Sequence, residues 1–111
     1  YEEVSFSGIW SATEFYCGLG VTTGSCDFGP YSITMVQDGT NPNRFDFTNF
    51  YGSGCDAYVI FDGAAGTVHF PNQSPCGVAL TASTGTFNVC DDTLIINLNF
   101  DGSDWIYEFT R

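Results

Sequence analysis

The chain has 111 residues, of which 43% are hydrophobic and 17% aromatic, and its formal net charge is -11, with two arginines and no lysine. This length predicts a single domain spanning 1–111, and the composition predicts an ordered core rather than a disordered chain. Two cations cannot displace the counterions of a nucleic acid, which excludes a nucleic-acid partner, and an anionic membrane surface would repel the chain.

The first elements are predicted to be strands, because Phe, Tyr, Thr, Val and Ile are strand formers and are common here. The first strand is predicted from Phe6 to Cys17. A long connection rich in Gly and Thr follows from Gly18 to Pro30. The second strand is predicted from Tyr31 to Gln37, and the Asp-Gly and Asn-Pro pairs of residues 38–42 predict a turn after it.

A hairpin is predicted from Asn43 to Asp62, with a turn at Gly52-Ser53-Gly54. Apolar residues alternate with polar ones on both sides of this turn, which predicts two strands with one buried face each. The residues predicted on the buried face are Phe45, Phe47, Tyr51, Ala57, Val59 and Phe61.

The remaining chain predicts four more strands, at Thr67–Phe70, within Gly77–Val89, at Thr93–Phe100 and at Asp104–Arg111. Nearly all connections are short, so sequence neighbours should be antiparallel neighbours in space. Only the connection before the second strand is long enough for a Greek-key crossing. We therefore predict an all-β fold, an eight-stranded antiparallel up-and-down (meander) barrel, in preference to a sandwich.

Three positions carry a family resemblance. Gly8 and Trp10 form a G-x-W triplet near the N-terminus, which resembles the signature of lipocalins and their calycin relatives. In those families a basic residue ending the last strand crosses the closed end of the barrel and stacks on the Trp, and Arg111 ends the last strand here. Residues 41–62 and 107–111 are similar to small calycin-like domains of secreted and cell-surface proteins from Bacteroidetes-type bacteria. The resemblance implies a lipocalin-like barrel at an extracytoplasmic location.

The open end of such a barrel is the predicted binding site. In a meander barrel the connections after the first, third, fifth and seventh strands share one end, and in calycins a long first loop marks the open mouth. The aromatic residues predicted there are Tyr16, Phe28, Tyr31, Phe50, Tyr51 and Trp105. A mouth ringed by aromatics suits a small apolar ligand or a sugar. The favoured alternative is that these side chains fill the barrel, since eight strands enclose a space that side chains can fill.

Glu14 is a further candidate for ligand binding. If Trp10 points inward, alternation places Ala12, Glu14 and Tyr16 inward too. A carboxylate inside an apolar barrel would have a raised pKa or need a partner, and it could anchor a ligand. The alternative, which we favour on the sequence, is a bulge in the first strand that turns Glu14 outward.

The five cysteines predict two disulfides and a free thiol. None lies in a C-x-x-C pair, so disulfides in an oxidising compartment are expected rather than a zinc site. Four lie near the mouth end, and we favour Cys17–Cys26 and Cys55–Cys76 because each pair closes one connection between sequential strands. Cys90 lies at the opposite end and should have no partner. The alternative is that all five are reduced, small apolar residues.

We do not expect catalysis, a metal or a cofactor. His69 is the only histidine, it alternates out of phase with its apolar neighbours, and no G-x-S-x-G elbow surrounds Ser53 or Ser74. The oxygen-rich segments 38–43, 91–92 and 101–104 do not complete a calcium-loop pattern, and we interpret them as turns.

The sequence therefore predicts an extracytoplasmic, non-catalytic binding or interaction module at a bacterial surface, holding a small apolar ligand or a sugar at the barrel mouth. The alternative is a structural accessory subunit of a larger cell-surface or outer-membrane assembly, with protein partners and no small-molecule ligand. The sequence contains no run of 18 apolar residues, so no membrane-spanning helix is predicted.

Overall fold

The computed structural model describes residues 6–50, 52, 54–88 and 90–111. Within these ranges eight strands form a closed antiparallel barrel in which each strand pairs with its sequence neighbours and the last pairs with the first. The strands are β1 (Gly8–Phe15), β2 (Asp27–Gln37), β3 (Arg44–Phe50), β4 (Cys55–Asp62), β5 (Thr67–His69), β6 (Leu80–Asn88), β7 (Thr93–Phe100) and β8 (Ser103–Thr110). A short 3-10 turn, Pro75–Gly77, precedes β6. The predicted all-β meander barrel is confirmed.

Alternation along each strand builds the barrel wall, as β7 illustrates. Leu94, Ile96 and Leu98 are buried inside the barrel, whereas Asn97 between them is exposed. The inward side chains of all the strands merge into one hydrophobic core. This core is rich in aromatic rings, and Phe6 stacks on Phe61 with 4.1 Å between ring centroids.

The second strand begins at Asp27, four residues earlier than the predicted start at Tyr31. We expected Pro30 to end the long connection, but Gly29 and Pro30 lie opposite the single residue Thr13 and form a bulge in β2. A bulge accommodates proline because the extra residue is not required to donate to the ladder. Gly29 has a φ of 110°, and a Cβ there would lie 2.7 Å from the Ala12 carbonyl oxygen. The first connection is therefore shorter than predicted.

A second bulge changes the inward phase of β3. Thr48 and Asn49 lie opposite Asp56 alone, and Asn49 has a φ of 64°. The Asn49 amide donates to the Ser32 carbonyl oxygen at 2.9 Å, which holds the bulge against β2. As a result Phe50 is inside the barrel with 1% exposure, although simple alternation from Phe45 and Phe47 predicted Tyr51. Tyr51 itself lies outside the described residues.

The closed end is sealed by the residues of the G-x-W resemblance. The Arg111 guanidinium carbon lies 4.4 Å from the centroid of the Trp10 ring. Arg111 also donates to the Ser7 carbonyl oxygen and to Asp92, both at 3.1 Å. Gly8 has a φ of 131°, a backbone conformation that favours glycine. The Arg111 side chain therefore closes this end with one cation–π contact and two hydrogen bonds.

The mouth end is fastened by both disulfides in the described part of the chain. Cys17–Cys26 closes the first connection with a Cα–Cα distance of 5.2 Å. Cys55–Cys76 joins the start of β4 to the 3-10 turn with a Cα–Cα distance of 5.6 Å. Cys90, at the other end, is exposed and free. The predicted pairing is confirmed, and the alternative of five reduced cysteines is wrong.

Candidate binding site at the barrel mouth

A mostly apolar pocket opens at the mouth, between the connections that follow β3, β5 and β7. Its volume is about 260 Å³. It is lined by Phe50, Cys55, Pro75, Cys76, Val78, Phe100, Asp101 and Trp105. The Cys55–Cys76 disulfide thus forms part of its wall and ties two of the lining connections together. We call this feature the mouth pocket.

Trp105 separates the mouth pocket from a second depression of about 360 Å³ on the outer side of the barrel rim. Tyr16 packs edge-on against Trp105 there, with 4.4 Å between ring centroids. Asn97 and Asp104 are the polar side chains that line this second depression besides the aromatic hydroxyl of Tyr16. The half-buried indole of Trp105 therefore presents surface to both spaces.

The structure does not gather all the predicted mouth aromatics around one pocket. Tyr16 and Trp105 lie together on the side of β1 and β8. Phe28 and Tyr31 pack against each other on β2, with ring centroids 5.7 Å apart, and line neither of these two pockets. Phe50 is in the core and contributes to the pocket floor. The favoured expectation that these side chains fill the barrel holds for Phe50 but not for Phe28, which is 43% exposed; other aromatics, such as Phe47 and Phe70, fill the interior.

Glu14 is fully buried inside the barrel, with 0% exposure. The expectation that a bulge in the first strand turns it outward is wrong, because the extra residue lies in β2 and β1 keeps its alternation. The Tyr31 hydroxyl donates to Glu14 Oε2 at 2.5 Å. Burial raises the pKa of Glu14 to about 7, and the hydroxyls of Tyr31 and Tyr107 partly offset that rise.

Tyr107 completes a buried polar cluster with Glu14 and Tyr31. It is the register partner of Glu14 across β1 and β8 and has 0% exposure. Its hydroxyl and Glu14 Oε1 have no hydrogen-bond partner within the described residues. Burial, and then the neighbouring Glu14, raise the pKa of Tyr107. The Tyr107 ring stacks on Phe50 with centroids 5.3 Å apart, so the cluster lies one ring away from the mouth pocket.

Sequence reasoning missed several pocket residues. Val78, Phe100 and Asp101 line the mouth pocket but were not among the predicted site residues. A usable signal was present for two of them, since Phe100 is the last inward residue of a strand that ends at the mouth and Asp101 begins the turn beside it. Val78 had no such signal, because its position depends on the 3-10 turn and on the disulfide at Cys76.

Of the described residues considered for catalysis or a metal, only Asp101 lines the mouth pocket. His69 is exposed on β5, and Ser53 lies outside the described residues. Among the residues whose positions are given, no group of three or more His, Cys, Asp or Glu side chains is arranged to hold a metal ion.

No helix in the described part of the chain has the length and apolar character needed to cross a membrane.

The barrel, with Trp10 and Arg111 in contact at its closed end, is compatible with a lipocalin-like fold. Its two disulfides are typical of an oxidising, extracytoplasmic environment. No protein-family model, no curated protein and no solved structure matches the chain.

Proposed function

We propose that the domain is an extracytoplasmic, non-catalytic binding module that holds a small ligand at the mouth of its barrel. The observation that carries this proposal is the apolar mouth pocket with the half-buried Trp105 in its wall. Small-molecule sites are typically concave and apolar, with a few polar groups at their edges. In the mouth pocket Asp101 is such a group.

The filled interior supports the mouth, rather than the barrel centre, as the place of binding. Phe50 has 1% exposure and packs against Phe70, Phe100 and Tyr107, with ring centroids 5.2 to 5.7 Å apart. These rings occupy the space below the pocket. A ligand of modest size, either an apolar molecule or a sugar, therefore rests on this aromatic layer instead of entering the barrel.

We propose an extracytoplasmic location for the domain as part of the same function. Two disulfides at the mouth favour a compartment outside the cytoplasm. The resemblance of residues 41–62 and 107–111 to calycin-like domains of Bacteroidetes-type bacteria supports a secreted or cell-surface protein. At such a surface, a net charge of -11 keeps the domain soluble and limits association of its strands with other chains.

A thermal-shift screen of lipids, pigments and sugars tests the proposal. A ligand at 100 times its Kd stabilises the native state by about 2.7 kcal/mol, which raises the Tm by about 10 °C. The substitution Trp105→Leu should abolish that rise. Ile9→Ser is the matched control, since Ile9 is 68% exposed on β1 toward the closed end, and it should leave the rise intact. A ligand that stabilises both variants equally would place binding elsewhere.

A second candidate, the structural accessory subunit, is favoured by one observation. Ile9 and Val36 are 68% and 58% exposed on the outer face of the neighbouring strands β1 and β2. Ile9 pairs with Thr34, so Val36 is its diagonal neighbour and the two form a small apolar patch. Under this function the double variant Ile9→Ser/Val36→Ser loses co-purifying partner proteins, whereas Trp105→Leu retains them. The opposite result would remove this candidate.

A further inference from the structure

We propose that the mouth pocket selects a small organic cation, an aryl or alkyl ammonium whose apolar part lies beside Trp105 and whose charge stays at the acidic rim. This inference rests on the proposed binding function and names the ligand class of the same site. It follows from the acidic side chains at the pocket rim together with the aromatic wall of the pocket.

The mouth end carries acidic side chains on three of its sides. Asp27 begins β2, and Asp56 lies near the start of β4. Asp101 and Asp104 belong to the β7–β8 hairpin, and both are exposed. Asp101 lines the mouth pocket itself, and Asp104 lines the depression on the other side of Trp105. These carboxylates give the rim a negative potential that attracts cations and repels anions.

The chain has no lysine, and its two arginines are held in contacts outside the mouth pocket. Arg44, at the start of β3, pairs with Asp46 at 2.8 Å and lies 3.9 Å from the centroid of the Tyr58 ring. Arg111 pairs with Asp92 and covers Trp10. Neither guanidinium lines the mouth pocket. An anionic ligand such as a fatty acid would therefore enter a pocket that is lined by Asp101 and by no arginine or lysine, which costs binding free energy.

The wall of the pocket is suited to a cation with an apolar body. Trp105 and Phe100 both line it and pack against each other with centroids 5.8 Å apart. Indole is the aromatic group that attracts a cation most strongly, and the attraction grows when water is excluded. The volume of about 260 Å³ accommodates one small ring or a short alkyl chain, with the ammonium left near Asp101. Apolar burial and charge complementarity thus favour the same ligand.

Three probes that share a phenyl ring and differ in charge test the inference: 2-phenylethylammonium, 2-phenylethanol and phenylacetate. Binding is followed by NMR through the Trp105 indole N–H at low ionic strength. We expect the ammonium to bind about ten-fold more tightly than the alcohol, because a cation–π contact and a nearby carboxylate together supply about 1.4 kcal/mol. Phenylacetate should bind most weakly. The preference for the ammonium should shrink as salt screens the rim.

Asp101→Asn is the variant that tests the rim directly. Asp101 has a φ of 55°, and asparagine tolerates this conformation, so the backbone is retained. We expect affinity for the ammonium to fall about two- to five-fold and affinity for the alcohol to stay unchanged. Glu108→Gln is the matched control, since Glu108 lies on β8 outside the mouth pocket, and it should leave all three affinities unchanged.

The outcomes separate this inference from the function on which it rests. If phenylacetate or the alcohol binds at the mouth as tightly as the ammonium, the charge selectivity is wrong and the binding site stands. An ammonium preference that survives both high salt and Asp101→Asn likewise overturns the role of the rim. If none of the probes perturbs Val78, Phe100 or Trp105, both the inference and the mouth site are contradicted.

Discussion

Glu14 is the one charged side chain that is buried in the described part of the barrel. Its carboxyl is buried among apolar groups, it accepts one hydrogen bond from Tyr31, and Oε1 has no partner among the described residues. Removing a carboxylate from water without full hydrogen bonding costs free energy, and the group responds by holding its proton more tightly. The presence of Glu14 at this position is therefore not explained by a contribution to the stability of the fold.

The pKa of Glu14 predicts how stability depends on pH. The pKa is about 7 in the barrel and 4.5 for a fully solvated glutamate, so the folded state binds the proton more tightly. This tighter proton binding adds about 3 kcal/mol to the free energy of unfolding below pH 4.5. The added stability is lost as the pH rises through 7. In Glu14→Gln this loss should be absent. Urea unfolding at pH 5 and pH 8 measures it, with Glu108→Gln as the control that keeps the pH dependence of the wild type. Equal pH dependence for the wild type and Glu14→Gln would refute the buried carboxylate.

The two tyrosines of the cluster should respond differently to loss of the hydroxyl. Tyr31→Phe removes the donor to Glu14 and should destabilise the barrel by about 1–3 kcal/mol, with the larger effect above pH 7 where the carboxyl is ionised. Tyr107→Phe removes a hydroxyl that partly offsets the rise in the Glu14 pKa but makes no direct hydrogen bond within the described residues, so it should destabilise the barrel less than Tyr31→Phe does. Denaturant unfolding of the pair at pH 8 decides the point, and a larger loss for Tyr107→Phe would contradict the described hydrogen bonding.

At the level of the strands, two bulges decide which side chains enter the barrel. The bulge at Gly29-Pro30 lets β1 keep its alternation, so Glu14 remains inside. The bulge at Thr48-Asn49 brings Phe50 inward. Each bulge depends on a partner strand, since the Cβ-free Gly29 approaches the Ala12 carbonyl and the Asn49 amide binds the Ser32 carbonyl. Local structure and packing are therefore fixed together at these positions.

Gly29→Ala tests the first bulge. A Cβ at this position would lie 2.7 Å from the Ala12 carbonyl oxygen on a backbone with a φ of 110°. We expect a loss of about 2–4 kcal/mol from backbone strain and displacement of β1. Gly39→Ala is the matched control, because a Cβ there has no neighbour within 4 Å, and its effect should be small. Thermal unfolding compares the two variants, and similar Tm values for both would contradict the close approach.

These elements show how far the sequence alone predicts the structure. The existence of each strand follows from alternation with a period of two, and the bounds of Thr93–Phe100 are those of β7. The meander follows from short connections. The bulges do not follow, because Pro30 is typical of a strand terminator and Asn49 of a turn unless the opposite strand is known. For the same reason the pairing of Glu14 with Tyr107 requires the β1–β8 register, which alternation does not provide.

At the scale of the whole molecule, the two ends of the barrel differ in how they are closed. The closed end is held by Arg111 over Trp10, and the mouth end by the disulfides Cys17–Cys26 and Cys55–Cys76. Exposed carboxylates lie at the mouth, and neither arginine lines the mouth pocket. A fixed, acidic and partly apolar opening above a filled interior is the arrangement from which the proposed binding function follows.

The disulfides predict a distinct chemical behaviour for the fifth cysteine. Alkylation of the native protein followed by non-reducing peptide mapping should label Cys90 alone, since it is exposed and free. Replacing both Cys55 and Cys76 by serine should destabilise the barrel by about 2–4 kcal/mol, and Cys90→Ser should leave stability unchanged. A disulfide that includes Cys90 would contradict the strand order of the barrel.

The most direct test of the binding function is a fragment screen of the intact domain monitored by amide and indole chemical shifts. The library should include cationic, neutral and anionic aromatic fragments and simple sugars. We expect the fragments that bind to perturb Val78, Phe100, Asp101 and the Trp105 indole, with little change at the closed end around Trp10. Fragments that leave these mouth residues unperturbed and shift only the outer patch at Ile9 and Val36 would contradict a binding site at the mouth.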